Sequence, residues 1–281
     1  MCRSIVVVVV VCRERFLAAA TYLSSRAFPS TLLSSSPSLV QQPDSYPVLI
    51  PGVDALNHAR AQPVSWVVTC PPTSSSPSST ANASHGTMSI SLVAHSASKA
   101  GAEIFNNYGA KPNAELFLGY GFTLPANPDD TIVLKIGGGS GCRAAAQHEV
   151  GRGARGAASV WDAIVDAVKQ AQGDEEEVPE WQIILESADT LRSMTESLLA
   201  RLPGGFPVPE TPGTLRGDVV EMIGHYVAGQ REVLQGLLHY ADDREMDGVA
   251  SARQDGVVIR LDGDDGDDDD EDEDVSGCNK D

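Results

Sequence analysis

Residues 101–122 read GAEIFNNYGAKPNAELFLGYGF, and this stretch decides the fold that we expect for the chain. Residues 102–106 are predicted as a short strand, and Pro112 suits the first turn of a short helix. Taken alone, Tyr108-Gly109 reads as a strand end. Tyr120-Gly121-Phe122 reads as apolar residues around a helix-terminating glycine. These residues alone predict only a polar cleft between strands and a short helix.

Three further segments extend the pattern on both sides of this stretch. YLSSRAF (22–28) and LIPGVDALNH (49–58) precede it, and NPDD (127–130) follows it. Asn57-His58 by itself is compatible with a turn whose polar side chains are hydrogen-bonded within the protein.

Together and in this order, the segments resemble the C-terminal half of a SET domain of the Rubisco large-subunit methyltransferase-like branch. The family pattern is similar to P-x-x-D-x-x-N-H, then G-E-x-I-x-x-x-Y-G-x-K-x-N-x-E-L-L-x-x-Y-G-F, then N-x-x-D. The matching positions are Pro51, Asp54, Asn57, His58, Gly101, Ile104, Tyr108, Gly109, Lys111, Asn113, Glu115, Leu116, Tyr120, Gly121, Phe122, Asn127 and Asp130, with Glu103 one residue later than the acidic residue of the pattern. Agreement over this length is far more specific than a six-residue motif.

The resemblance implies a protein-lysine N-methyltransferase with S-adenosyl-L-methionine as cofactor. In this family, the cofactor and the lysine enter from opposite faces and meet through a narrow channel. The family pattern makes Tyr108 the catalytic residue. The implied cofactor-binding residues are Arg26, Asn57, His58 and Tyr108. The implied substrate-binding residues are Arg26, Asp54, Tyr120 and Phe122.

One family feature has no counterpart ahead of Arg26. A complete SET domain begins with a G-x-G segment that contacts S-adenosylmethionine, whereas residues 1–25 contain no glycine. We therefore expect a SET domain that lacks its N-terminal part, with a sheet edge left unpaired. Two hypotheses stay open: a methyltransferase that is truncated or inactive, and a catalytically dead SET-derived module that binds protein partners.

The predicted elements give an α+β fold, with a partial SET β-fold followed by an α-helical C-terminal domain. Further strands are predicted at 64–69, 89–94 and 131–136, and helices at 13–28, 158–172, 180–202 and 215–240. The expected domains are an apolar N-terminus (1–12), a partial SET domain (13–136) with a low-complexity insertion (71–86), a Gly/Arg-rich linker (137–156), a helical Rubisco-methyltransferase-like domain (157–250) and an acidic disordered tail (251–281).

Composition limits the partners. The formal net charge is −19, of which −11 falls in residues 262–281, and aromatic residues make up 5%. This composition argues against nucleic-acid binding by electrostatics. The apolar run 5–11 is far shorter than the ~20 residues that span a bilayer, and no cleavage site follows it. We expect a lysine-bearing, non-histone protein substrate, no nucleic-acid or membrane partner, and a cytoplasmic or nuclear location.

Other kinds of site have weaker support. Residues 139–144 fit the dinucleotide pattern G-x-G-x-x-A, but no further βα units follow. The five cysteines are scattered, and the six histidines lack HxxxH or HExxH spacing, so no metal site is expected. The acidic run 262–274 lacks the calcium-loop pattern and is typical of a solvated terminus.

Overall fold

The computed structural model describes residues 12–34, 36, 38–40, 42–69, 89–137, 146–172, 178–204 and 216–259. The predictions for residues 1–11, the 71–86 insertion, the 139–144 motif and the 262–281 acidic run lie outside these ranges. The chain divides into two compact units. The first comprises Met1–Val133, Glu149–Arg155 and Leu202–Val233, and the second comprises Leu134–His148, Gly156–Arg201 and Leu234–Asp281.

The elements alternate between short strands and helices. In chain order they are α1 (Arg13–Arg26), β1 (Phe28–Pro29), β2 (Pro47–Val48), β3 (Val64–Thr69), β4 (Ser89–Ala94), α2 (Asn113–Glu115), β5 (Thr131–Ile136), β6 (Ala146–Gly151), α3 (Ala157–Gln172), α4 (Glu180–Arg201) and α5 (Gly217–Gln254). Single 3-10 turns lie at Ser30–Leu33 and Arg152–Ala154, and a π-helical turn at Leu116–Tyr120 continues α2. This mixture confirms the predicted α+β class.

The strands in the described ranges form three two-stranded sheets. β1 pairs antiparallel with β2, and β3 pairs antiparallel with β4 from Val64↔Ala94 to Thr69↔Ser89. β5 pairs with β6. The predicted bounds of β3, β4 and β5 are confirmed. Along each strand, more buried residues alternate with more exposed ones, and this alternation produces the period of two that the sequence shows.

Three predicted segments are wrong in part. Residues 102–106 form no strand, because residues 102–104 are exposed and only Asn106 bridges to His58. The predicted linker 137–156 contains β6, whose Val150 is fully buried despite the surrounding glycines and arginines. Helix α5 continues to Gln254, past the predicted end at 240 and into the predicted tail, because Ala241, Val249 and Ala252 bury one face of it.

In the second unit, α3 packs against α4 through residues at helical spacing. The buried side chains are Ala157, Val160, Ile164, Val168, Ser187, Ala188, Leu191 and Thr195. Arg192 of α4 forms ion pairs with Glu245 and, at 2.9 Å, with Asp242 of α5. None of the helices in the described ranges is long and apolar enough to cross a membrane.

A buried carboxylate fixes α2 in the first unit. Asn113 donates its backbone N–H to Asp130 Oδ1 (2.7 Å) and its side-chain amide to Asp130 Oδ2 (3.1 Å). Asn113 also exchanges two hydrogen bonds with the backbone of Leu124, at 2.9 and 2.8 Å. Burial raises the pKa of Asp130, and the hydrogen bonds from Asn113 oppose the rise. A buried polar network that is fully hydrogen-bonded favours one packing arrangement, and this network sets the position of the π-helical turn.

The carboxylate of Asp130 also limits which side chain α5 can carry at the point where it passes this residue. A Cβ added at Gly229 would lie 2.1 Å from Asp130 Oδ2. One residue further on, Gln230 donates to the carbonyl of Thr131 at 3.1 Å. A glycine is therefore required where the helix crosses the buried carboxylate.

Replacing Gly229 with alanine should destabilise the first unit. We expect Gly229→Ala to lower the free energy of unfolding by about 1–3 kcal/mol, the usual cost of overpacking, in urea denaturation. Gly217→Ala on the same helix is the control, because a Cβ there meets no atom within 4 Å. Equal urea midpoints for the two variants would contradict the close contact between Gly229 and Asp130.

Candidate functional site

Arg26, the last residue of α1, joins three segments that are distant in sequence. Its Nη1 donates to the carbonyls of Asp54 (2.9 Å) and Leu56 (3.4 Å), and its Nη2 donates to Asn57 Oδ1 (3.2 Å). Nη1 also donates to Tyr108 Oη at 3.2 Å. A planar guanidinium with five donors can serve several acceptors at once. One side chain thus fixes both the 54–57 segment and the tyrosine.

Tyr108 is held at its hydroxyl and at its backbone. Its hydroxyl donates to the carbonyl of Leu56 at 2.7 Å, and its backbone N–H donates to His58 Nδ1 at 3.0 Å. Burial raises the pKa of Tyr108, and the positive charge of Arg26 only partly offsets the rise. The phenol therefore stays protonated at neutral pH.

His58 is a neutral imidazole stacked on Tyr108. The ring centroids are 5.1 Å apart with an interplanar angle of 26°. Because Nδ1 accepts the N–H of Tyr108, the proton of the neutral ring is on Nε2. Burial lowers the pKa of His58, the charge of Lys111 lowers it further, and Asp129 opposes the change.

Backbone bonds and a side-chain carboxylate anchor this segment. Asn106 donates its N–H to the carbonyl of Asn57 at 2.7 Å, and its carbonyl accepts the N–H of Ala59 at 2.9 Å. Asn57 Nδ2 donates to Glu103 Oε1 at 2.8 Å. The amide of Asn57 is thereby oriented by Arg26 on one side and Glu103 on the other.

The π-helical turn adds two aromatic rings to the site. Tyr120 lies 5.0 Å from Tyr108, and Phe122 lies 6.0 Å from His58, between ring centroids. Gly121 adopts a φ of 77°, in the left-handed region that favours glycine, and caps the turn. This reversal allows Tyr120 and Phe122 to reach the same site, with their centroids 6.3 Å apart.

Two cavities meet at these residues. The smaller, of about 320 Å³, is lined by Ser25, Arg26, Asn57, His58, Tyr108, Tyr120 and Phe122. The larger, of about 510 Å³, is bordered by Ser25, Arg26, Tyr108 and Tyr120 as well, and adds Phe28, Asp54, Trp66, Lys111 and Glu115. Both volumes fall in the ~300–1,000 Å³ range of small-molecule sites. Ser25, Arg26, Tyr108 and Tyr120 therefore border both cavities.

The structure brings all seven predicted site residues to these two cavities. Asp54 lines only the larger cavity, and its contact with Arg26 is through its carbonyl. Phe122, which the sequence predicted on the substrate side, lines the smaller cavity beside His58. No group of three or more His, Cys, Asp or Glu side chains in the described ranges could hold a metal ion.

Sequence reasoning assigned no role to Lys111, Glu115 or Glu103. Lys111 forms an ion pair with Glu115 and lies 5.6 Å from the centroid of the Tyr120 ring. The i,i+4 spacing of Lys111 and Glu115 was a usable signal for the pair. The contact between Glu103 and Asn57 spans 46 residues, and no local pattern indicates it.

The neutral state of His58 predicts a pH-dependent stability. Since the pKa of His58 is lowered from 6.5 in the folded chain, the unfolded chain binds the proton first as the pH falls. This contribution to the free energy of unfolding is present above pH 6.5 and is lost as the pH falls through 6.5 towards the lowered value.

His58→Asn keeps an acceptor for the N–H of Tyr108 and removes this titration. We expect the free energy of unfolding to fall more steeply in the wild type than in His58→Asn between about pH 7.5 and about pH 5, measured by denaturant titration. Parallel slopes would show that His58 titrates alike in the folded and unfolded chains.

Comparisons with known proteins find sequence relatives over part of the chain. No protein-family model matches the chain. Over 124 residues, 44% of the chain, it is 36% identical to the ribosomal lysine N-methyltransferase set10 of Schizosaccharomyces pombe. Over 112 residues, 40% of the chain, it is 34% identical to the ribosomal lysine N-methyltransferase 1 of Saccharomyces cerevisiae. The chain covers only 19% and 15% of the length of these relatives.

Two solved structures share the fold. The SET domain of LSMT bound to lysine and AdoHcy superposes with a TM-score of 0.55 at 16% identity, over 85% of this chain and 57% of the other. Rubisco LSMT bound to sinefungin and monomethyllysine superposes with a TM-score of 0.56 at 17% identity, over 85% of this chain and 56% of the other. These structures confirm the SET fold, and the two yeast relatives support the resemblance to lysine N-methyltransferases over 40–44% of the chain.

Proposed function

We propose that this chain carries the catalytic centre of an S-adenosyl-L-methionine-dependent protein-lysine N-methyltransferase. The observation that carries the proposal is the position of Tyr108, which borders both cavities while its hydroxyl is fixed by Arg26 and by the carbonyl of Leu56. The relatives named above are lysine N-methyltransferases, and the solved neighbours are bound to AdoHcy or sinefungin.

The smaller cavity suits the methyl donor. S-adenosylmethionine supplies a methyl group on a positively charged sulfur, together with an adenine ring and an amino-acid end. Aromatic faces attract such a cation, and the rings of His58, Tyr108 and Phe122 line this cavity. The amide of Asn57 and the guanidinium of Arg26 provide polar groups for the amino-acid and adenine ends. We assign cofactor binding to Arg26, Asn57, His58 and Tyr108.

The larger cavity suits the lysine side chain. A free lysine amine has a pKa near ~10.4, and it must lose its proton before its lone pair can attack. A partly desolvated cavity disfavours the ammonium form. We assign substrate binding to Arg26, Asp54 and Tyr120, and to Phe122, whose ring centroid lies 6.3 Å from that of Tyr120.

Tyr108 acts by position and electrostatics. Its hydroxyl proton is directed at the carbonyl of Leu56, so its oxygen presents the remaining lone pair as an acceptor. An amine N–H that donates to this oxygen turns the nitrogen lone pair towards the smaller cavity. Preorganised groups of this kind lower the barrier without forming a covalent intermediate.

The substrate that we propose is a lysine of a ribosomal protein, hence a non-histone protein. This extends the names of the two yeast relatives to the present chain. The net charge of −19 favours encounter with basic proteins over nucleic acid or anionic membranes. We place the reaction in the cytoplasm or nucleus, and assign the choice of protein substrate to the helical segment 157–250.

Removing the hydroxyl of Tyr108 tests this assignment. We expect Tyr108→Phe to reduce methyl transfer from radiolabelled S-adenosylmethionine to ribosomal proteins by about 10²-fold or more, the usual cost of losing one preorganised group. Binding of S-adenosylhomocysteine, measured by calorimetry, should change by less than about threefold, because the ring remains in the smaller cavity.

Tyr22→Phe is the matched control, since Tyr22 is 69% exposed on α1. Equal transfer by Tyr108→Phe and Tyr22→Phe would show that Tyr108 is not catalytic. If the wild-type chain neither binds S-adenosylmethionine nor transfers a methyl group, the enzyme proposal fails. The catalytically dead protein-binding module would then be the better hypothesis.

A further inference from the structure

Lys111 brings a fixed positive charge to the larger cavity. Its Nζ lies 5.6 Å from the centroid of the Tyr120 ring and forms an ion pair with Glu115. The side chain of Lys111 is 20% exposed, whereas that of Glu115 is 49% exposed. Both residues line the larger cavity, which is the one assigned to the substrate lysine.

We propose that Lys111 is a positioning residue that keeps the substrate amine neutral: its charge, held by Glu115 and the Tyr120 ring, disfavours protonation of a lysine side chain in the larger cavity. This role rests on the proposed methyltransferase function. The ring centroids of Tyr120 and Tyr108 are 5.0 Å apart, and the hydroxyl oxygen of Tyr108 is the proposed hydrogen-bond acceptor for the substrate amine. A second ammonium group entering here would face a like charge in a partly desolvated space.

Glu115 does not cancel this effect. Its side chain is more exposed than that of Lys111, so water screens its charge more strongly. Glu115 instead raises the pKa of Lys111 and keeps it charged: burial acts to lower the value, but the hydrogen bond to Glu115 and the charge interactions with Tyr120 and Glu115 outweigh it. The pair fixes where the ammonium group lies.

The charge of Lys111 already affects a neighbouring group. After burial, it is the strongest factor lowering the pKa of His58. His58 is thus a reporter of this field in the chain without cofactor or substrate. Among the described residues, the other charged or titratable groups around the site are Arg26, Tyr46, Asp54, Arg60, Glu103, Tyr108, Glu115, Tyr120 and Asp129. Arg60 and Asp129 form an ion pair at 2.6 Å, and Arg26 adds to the positive field at Tyr108.

The first test measures the pKa of His58 by NMR in the unliganded 281-residue chain. We expect it to rise in Lys111→Met and to stay at the wild-type value in Lys111→Arg, which retains the charge. Lys99→Met is the control for charge loss at an exposed position of the same unit. An unchanged pKa in Lys111→Met, or an equal rise in Lys111→Arg, would overturn the electrostatic role.

The second test measures methyl transfer as a function of pH. In Lys111→Met the acidic limb of the pH–rate profile should move to higher pH, with activity recovering at alkaline pH. A shift of one unit changes the neutral fraction of the amine about tenfold. Lys111→Arg should retain the wild-type profile. A purely structural defect would instead lower the rate equally at every pH.

These measurements separate the two proposals. Methyl transfer with the same pH profile in Lys111→Met and the wild type overturns the role of Lys111 and leaves the methyltransferase function standing. A wild-type chain that transfers no methyl group overturns both the methyltransferase function and the role of Lys111 in it. This holds even if the pKa of His58 shows that Lys111 exerts a positive electrostatic field at the site.

Discussion

The guanidinium of Arg26 is the interaction on which the geometry of the site depends. Its two terminal nitrogens serve the carbonyls of Asp54 and Leu56, the amide oxygen of Asn57 and the hydroxyl of Tyr108. Hydrogen bonds to charged groups each contribute about 1.5–3 kcal/mol, and a lysine could not serve acceptors arranged in this way. Because Arg26 borders both cavities, the same contacts that order the 54–57 segment also shape the boundary of the two cavities.

The family-like motif divides into positions that build the fold and positions that face the cavities. Asn113 and Asp130 form a buried pair, and Asn127 donates to the carbonyl of Lys111 at 2.8 Å. These contacts fix the start of the short helix that leads to Tyr120. The requirement for glycine at position 229 follows from the same buried carboxylate of Asp130. Asp130 therefore affects both the packing of α5 and the placement of Tyr120.

Sequence reasoning succeeded where residue type determines the environment. The bounds of β3, β4 and β5 followed from alternation of exposed and less exposed residues, whereas β6 was missed because glycine and arginine concealed Val150. The seven predicted site residues were recognised only through the family resemblance. Three of their hydrogen bonds go to backbone carbonyls, and no residue type indicates those. The reach of Arg26 across 28 to 82 residues required the folded chain.

The assignment of the smaller cavity to the methyl donor and the larger to the amine is tested most directly by NMR with ¹³C-methyl-labelled S-adenosylmethionine. His58 lines only the smaller cavity, Trp66 and Phe28 line only the larger one, and Tyr108 borders both. We predict nuclear Overhauser effects from the labelled methyl protons to the rings of Tyr108 and His58. Effects to Trp66 and Phe28 in their place would contradict the assignment.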